Sequence, residues 1–367
     1  MSPSAFAKTF ATANTTTGSS KWTTPTPKAT PARVAFFCPY CAMSDALRIA
    51  VVGAGIAGAA VVRTAPAGAH VTVFDGFPDR SATRVATGLV NPLVLKRRRV
   101  VWRAAEALEV AKRFYPESFR SAEPIYEVLR SPDEVNDWNA MGDHPALGPF
   151  LGPLVDVPHG IHGLCLGTVN ESFRVNLKGF VDWALDGVEL RNEAVASIER
   201  SASGGWTLNE GHHADVVVLC EGYQAQWAEH FWGNLGFART SGQGLRVVLR
   251  TEPGKMLHRS HFLLPEGDGS YQLGASYGWG ISRGSVAPPP PRQDQTEELL
   301  ESARTWIASE IEVRGAWTGI RPTTKDRRPR WGWHPEHPGL GLLNGLGSRG
   351  TLHAPLLAKE LWQQRPA

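Results

Sequence analysis

Val51-Val52-Gly53-Ala54-Gly55-Ile56-Ala57-Gly58 is the stretch on which the fold of this chain turns. Residues 47–52 are apolar apart from Arg48, a run suited to a parallel strand buried on both faces. Three glycines come next at the spacing Gly-x-Gly-x-x-Gly and open a helix. Gly53 permits a tight turn, Gly55 lets the backbone approach a pyrophosphate, and Gly58 lets helix and strand pack closely. Ile56 and Ala57 place their N–H groups at the helix N-terminus, where the dipole favours an anion. Pro66 is expected to end this helix early. A second strand is expected at 70–74, and Asp75 closes it about twenty residues after Gly55, the place for an acid that binds a ribose hydroxyl. Strand, turn, helix and distal acid together point to a dinucleotide site. The glycines alone do not, and the fingerprint does not separate FAD from NAD.

Composition sets the surroundings of this unit. With 367 residues, 42% hydrophobic and 20% charged, the chain reads as a soluble globular protein with room for two domains. A formal net charge of +3 does not demand a nucleic-acid partner. No run approaches the roughly 20 apolar residues of a transmembrane helix, so no membrane span is expected. Cys38, Cys41, Cys165 and Cys220 make no disulfide framework, which favours a reducing compartment and a cytoplasmic location. Residues 1–42 are rich in Thr, Ser, Ala and Pro and contain no acid, so disorder is expected there, as an over-extended start before Met43 or as a targeting segment. Cys38-Pro39-Tyr40-Cys41 looks like a dithiol motif but lacks the strand-and-helix setting that activates a thiolate. No metal site is implied.

Further along, residues 214–219 read as another buried strand, ending at Cys220-Glu221-Gly222. A helix is expected around 102–114, strands around 245–249 and 271–277, and a closing helix over 351–362. The run of prolines at 288–291 marks a rigid connection.

Several separated blocks carry a resemblance. Ser81-Ala82-Thr83-Arg84-Val85-Ala86-Thr87-Gly88-Leu89-Val90-Asn91-Pro92 is a small-residue loop. Gly319-Ile320-Arg321-Pro322-Thr323-Thr324-Lys325-Asp326-Arg327-Arg328-Pro329 combines Gly-x-Arg-Pro with Thr-Lys-Asp, and Gly345-Leu346-Gly347-Ser348-Arg349-Gly350-Thr351 opens the closing helix. In these blocks, and in the glycine fingerprint, the chain resembles the D-amino-acid oxidase and glycine oxidase superfamily of FAD enzymes.

The resemblance implies an α/β fold with two parts. A Rossmann-like FAD-binding domain would be built from the discontinuous segments 43–100, 172–235 and 315–367. An α+β substrate domain with a mostly antiparallel sheet would take 101–171 and 236–314. It implies non-covalent FAD, with Thr87, Gly88 and Leu89 beside the flavin ring, the Val195 backbone at adenine and Gly222 at the second nucleotide-facing turn. Gly347, Ser348, Arg349, Gly350 and Thr351 would face the flavin's pyrimidine end, where a helix N-terminus stabilises negative charge.

Arg321 falls where the family pairs an Arg with the substrate carboxylate. A planar guanidinium gives that anion two parallel hydrogen bonds. The simple oxidases carry a second Arg where this chain has Ser348. Gly-Ser-Arg-Gly followed by Ala-Pro-Leu is more similar to the oxidase half of the bifunctional tRNA 5-methylaminomethyl-2-thiouridine enzyme. Arg349 is therefore a candidate contact, and Tyr271 and Tyr277 are candidate pocket residues, with core packing the blander alternative for the tyrosines. His258, His261 and His353 are expected at the surface or in packing.

The implied reaction is oxidation of the C–N bond of a carboxylate-bearing amine by hydride transfer to flavin, with oxygen a candidate acceptor. A free glycine-like or D-amino acid and a tRNA nucleoside bearing a carboxymethylamino group share the N–CH₂–COO⁻ unit. Lys96-Arg97-Arg98-Arg99, Arg103 and the cluster at 325–330 suit RNA phosphates, although a solvated basic face is the simpler reading. A flavin-binding module without catalysis is the alternative from another class.

Overall fold

Ile49 and Val51 alternate with Ala50 and Val52, and all four are buried because both faces of their strand are covered. In this computed structural model, which describes residues 46–209, 211–278, 281 and 287–366, that strand is β1 (Arg48–Val52). It is followed by α1 (Ile56–Thr64) and β2 (His70–Phe74). The helix stops just ahead of Pro66, as its ring requires. Residues 1–42, with the Cys38–Cys41 pair, lie outside the described residues.

β1 is an inner strand of a six-stranded sheet. Its order is Glu189–Arg191, β2, β1, Val216–Leu219, Leu340–Asn344 and Arg330–Trp333. All neighbours are parallel except the last pair, which is antiparallel. Ile49, Val51, Val73, Val216 and Val218 pack under α1 and the closing helix Gly350–Gln363. Ala50, Val52, Phe74, Val217 and Leu219 pack against a three-stranded antiparallel sheet through Trp206 and Leu208.

The second sheet has eight strands, in the order Ile311–Thr324, Phe237–Leu249, Ser270–Gly274, His261–Pro265, Met256–Arg259, Ile125–Leu129, Cys165–Val169 and Leu151–Val155. Only Met256–Arg259 and Ile125–Leu129 run parallel. One face buries Leu245, Val247, Tyr271 and Leu273 against Leu299, Ala303 and Trp306 of the helix Gln293–Arg304 and its end. The other face looks towards the first sheet.

The expected fold class, α/β with a mostly antiparallel second sheet, is the one observed. Two details differ. The boundary expected at 315 falls inside the strand Ile311–Thr324, which pairs with Phe237–Leu249 along its whole length. The helix Ala104–Phe114, assigned by sequence to the substrate part, packs on Gly350–Gln363 beside the six-stranded sheet. Its Tyr115 hydroxyl donates to the Thr351 carbonyl at 2.8 Å. Among the described residues no helix is long and apolar enough to cross a membrane.

Candidate active site

A cavity of about 450 Å³ lies between the two sheets and opens along the carboxyl ends of β1, β2 and Val216–Leu219. This is where open α/β sheets bind ligands. The residues proposed from sequence line it, apart from Gly58 and Tyr271.

The glycine turn is built as its spacing requires. Gly53 has φ +108°, and a Cβ there would stand 2.3 Å from the Cys220 carbonyl oxygen. A Cβ on Gly58 would stand 1.9 Å from the Gly53 oxygen, so any side chain would push α1 off the turn. Gly58 is thus a packing glycine and has no need to reach the cavity. Asp75 braces the turn from the β2 end, accepting from the Ala54 N–H at 3.0 Å and the Phe77 N–H at 3.0 Å. Each carboxylate oxygen keeps acceptor capacity. The Ile56 N–H at the start of α1 donates to Thr83 Oγ1 at 3.0 Å, which docks the short helix Ala82–Val85 onto Gly55.

From that helix the chain passes along the cavity through Thr87, Gly88 and Leu89. Gly88 has φ +73°, and a Cβ on it would stand 2.0 Å from the Val175 oxygen. Arg174 holds the Thr87 carbonyl through Nε at 2.8 Å. At the opposite end, the Val195 carbonyl accepts the Trp227 indole N–H at 2.9 Å. Asn344 ties two turns together, donating to the Gly222 carbonyl at 2.9 Å and accepting from the Gly345 N–H at 2.7 Å.

Two half-buried guanidinium groups line the cavity wall. Arg349, before the closing helix, donates to the Asn91 and Leu93 carbonyls, both at 3.0 Å. Burial pushes its pKa down to about 10. Arg321 donates from Nη1 to the Ser241 carbonyl at 3.0 Å and from Nη2 to the Ser276 carbonyl at 3.3 Å. The Tyr277 ring lies 5.1 Å from its Cζ. Burial lowers the Arg321 pKa from its ordinary value, with Tyr277 opposing. Among the described residues no carboxylate pairs with either group.

The expectation for Tyr271 is corrected. Its ring belongs to the core behind the eight-stranded sheet, and its hydroxyl accepts the Gly254 N–H at 3.2 Å. Strand alternation turns the next residue, Gln272, to the cavity instead. The chain leaves the strand after Gly274, and Tyr277, exposed over 47% of its surface, lines the cavity beside Arg321. His258 pairs with Glu127, and His353 shares a hydrogen bond with the Trp102 carbonyl at 2.8 Å. His261 does open on the cavity, contrary to expectation, bonded to Ser302 at 3.1 Å with its pKa lowered by burial.

Sequence reading missed Glu221, Trp227, Trp317 and Gly242. Glu221 ends the Val216–Leu219 segment and accepts the Trp227 and Ala228 N–H groups at 2.9 and 2.8 Å. Burial pushes its carboxyl up to about 7 against those bonds. The available signal was a carboxylate two residues after a wholly apolar strand.

The basic residues are partly spent within the fold. Arg98 pairs with Asp137, Arg103 with Glu106 and Glu360, Arg330 with Asp326, and Arg328 lies over Trp102.

These residues fit FAD. The turn has no room for a Cβ at Gly53, the cavity runs from Val195 past α1 to Arg321, and the half-buried cations in its wall suit an anionic ligand. Solved structures share this fold. Glycine oxidase from Geobacillus kaustophilus superposes with a TM-score of 0.67 at 21% identity, covering 88% of this chain and 96% of that one. Iminodiacetate oxidase from Chelativorans sp. BNC1 gives 0.65 at 20%, covering 87% and 96%. The FAD-bound L-alpha-glycerophosphate oxidase of Mycoplasma pneumoniae gives 0.69 at 14%, covering 87% and 94%. A curated protein of Maricaulis maris (strain MCS10), the tRNA 5-methylaminomethyl-2-thiouridine biosynthesis bifunctional protein, is 51% identical over 49 residues. That segment is 13% of this chain and 8% of that protein. The DAO family model of FAD-dependent oxidoreductases matches residues 48–364, and the chain belongs to this family as an FAD-dependent oxidoreductase.

Proposed function

We propose that the protein oxidises the C–N bond of an amine that carries an N–CH₂–COO⁻ unit, with Arg321 holding the carboxylate. One observation carries this reading: a half-buried guanidinium in the cavity wall whose hydrogen-bond acceptors, among the described residues, are two backbone carbonyls. Five N–H donors less two leave three, enough for a bidentate carboxylate. A guanidinium half-withdrawn from water with no anion beside it favours a carboxylate partner, which supplies a charge-assisted pair. The same group argues against a flavin-binding module without catalysis.

The chemistry FAD supplies when bound is acceptance of a hydride from the carbon next to nitrogen, which leaves an imine for water to hydrolyse. The chain's own residues position the substrate. Arg321 fixes one end, Tyr277 and Trp317 wall that end, and the small loop at 87–89 leaves room for a flat ring. We assign Arg349 to bracing, since its guanidinium joins the loop at 91–93 to the start of the closing helix. A cytoplasmic location and oxygen as acceptor accord with this reading.

The favoured substrate is a free glycine-like or D-amino acid, or a secondary amine. A second reading attaches the same unit to tRNA, favoured by the 49-residue match to the tRNA-modifying relative and by the Gly-Ser-Arg-Gly block.

Anaerobic reduction of the FAD-loaded protein distinguishes the two. Glycine, sarcosine, D-alanine and iminodiacetate are set against tRNA bearing carboxymethylaminomethyluridine; reduction by tRNA alone overturns the small-molecule ranking. Arg321→Ala should retain flavin yet lose about 10²–10⁴-fold in reduction rate, the worth of two charge-assisted hydrogen bonds. Undiminished reduction of that variant removes the anchor.

A further inference from the structure

Arg321 reaches its place by leaning across onto the neighbouring strand. Its register partner on Phe237–Leu249 is Thr240, yet its guanidinium lies over Gly242, two residues further on. A Cβ built on Gly242 would stand 2.2, 2.5 and 2.6 Å from Nη2, Cζ and Nη1 of Arg321. Carbon-sized atoms rest at about 3.5–4.0 Å, so a methyl group and this head cannot occupy the site together.

The identity of the clashing atoms decides which of the two would give way. All three nearest atoms belong to the tip of one long side chain, and none is backbone. Gly242 lies in a regular stretch of ladder opposite Gly319, outside the left-handed conformations that require glycine. The strand's conformation does not demand a glycine here, and the nearest obstacle to a side chain is the Arg321 head. The demand comes from Arg321. Gly244, two residues on and on the same face, is covered in the same way by the Trp317 ring, with its nearest ring atom 2.4 Å from a built Cβ. The Gly242-Gln243-Gly244 stretch therefore seats the anchor and one wall of its pocket.

We propose that Gly242 is the positioning residue that sets carboxylate specificity: the missing side chain is the seat of the Arg321 head, and any substituent unseats it while leaving the fold intact. This rests on reading Arg321 as the carboxylate anchor. An alanine at 242 would leave the guanidinium charged and inside the cavity but displaced from the Ser241 and Ser276 carbonyls that aim it. Recognition of the carboxylate would fail through geometry rather than through loss of charge.

The test is Gly242→Ala in the FAD-loaded enzyme, read beside Arg321→Ala. Flavin content and melting temperature should match wild type, or the latter should rise slightly, because Gly→Ala at a compatible site restricts the unfolded chain. Glycolate, a carboxylate without the amine, is titrated against the flavin absorbance, and its Kd should rise at least tenfold. The KM of the amine substrate should rise by a similar factor, with kcat changed less. Wild-type glycolate affinity and KM in Gly242→Ala overturn the proposal. So does loss of folding or of flavin in that variant, because the side chain would then be excluded by the fold. If Arg321→Ala retains wild-type reduction and glycolate binding, the anchor reading falls; if only Gly242→Ala is unaffected, the anchor stands and this proposal alone falls.

Discussion

Replacing Glu221 by Gln tests the electrostatics of the cavity quantitatively. Its carboxyl, closed in at the end of the Val216–Leu219 segment, titrates at about 7 rather than at its ordinary 4.5. A folded pKa above the unfolded value means the folded state holds the proton more tightly. That contribution is fully present below pH 4.5 and is lost as the pH rises through 7. Linkage makes it about 3 kcal/mol in all, with about 2 kcal/mol falling between pH 5 and 7.

Gln removes this dependence but offers one oxygen where the carboxyl offers two. One of the N–H groups of Trp227 and Ala228 would then lose its acceptor, at a pH-independent cost of about 1–2 kcal/mol. The variant should be the less stable protein near pH 5, and the difference should move in its favour by about 2–3 kcal/mol by pH 8. His212, His261 and His353 have pKa values lowered by burial, so they oppose this trend by losing stability as the pH falls. Both proteins contain them, and they cancel in the difference. Urea unfolding of the flavin-free proteins, followed by tryptophan fluorescence across this pH range, gives the two curves. A difference that stays flat to within about 0.5 kcal/mol would mean that Glu221 is charged throughout, and the reasoning fails.

Single contacts set two further outcomes. Gly58→Ala should purify without flavin and unfold earlier, because the new Cβ meets the Gly53 carbonyl rather than a side-chain tip. Retention of flavin at wild-type affinity would contradict this. Tyr115→Phe strands the buried Thr351 carbonyl at the first turn of the closing helix and should cost about 1–2 kcal/mol in denaturant unfolding. An unchanged midpoint would show that the bond contributes nothing net.

The parts of the fold legible in sequence are those encoded locally. Gly53, Gly55 and Gly58 announce a turn because their spacing is a property of eight consecutive residues, and Pro66 marks the end of α1 for the same reason. Arg321 was readable because it sits inside a dense block of unusual residues. Tyr271 was misplaced for want of one bit of information, the parity of a strand: adjacent residues face opposite sides, and both sides here are covered. Gly242 carried no local signal at all. Its meaning arises only when Ile311–Thr324 is laid beside Phe237–Leu249, a pairing that brings together residues about eighty positions apart. Glu221 stood in plain view, but nothing nearby in sequence indicated that the start of Gln226–Trp232 would fold back to bond it.

The ordering of the six-stranded sheet has a consequence for how the protein acquires its cofactor. β1 is laid down early, but Val216–Leu219 beside it and Leu340–Asn344 beyond that arrive much later in the chain. α1 gains its principal helical neighbour only with Gly350–Gln363. During synthesis the glycine turn therefore emerges long before the surfaces that hold it in shape, and contacts at such sequence separation form slowly. Retention of FAD therefore depends on the closing helix being in place against α1.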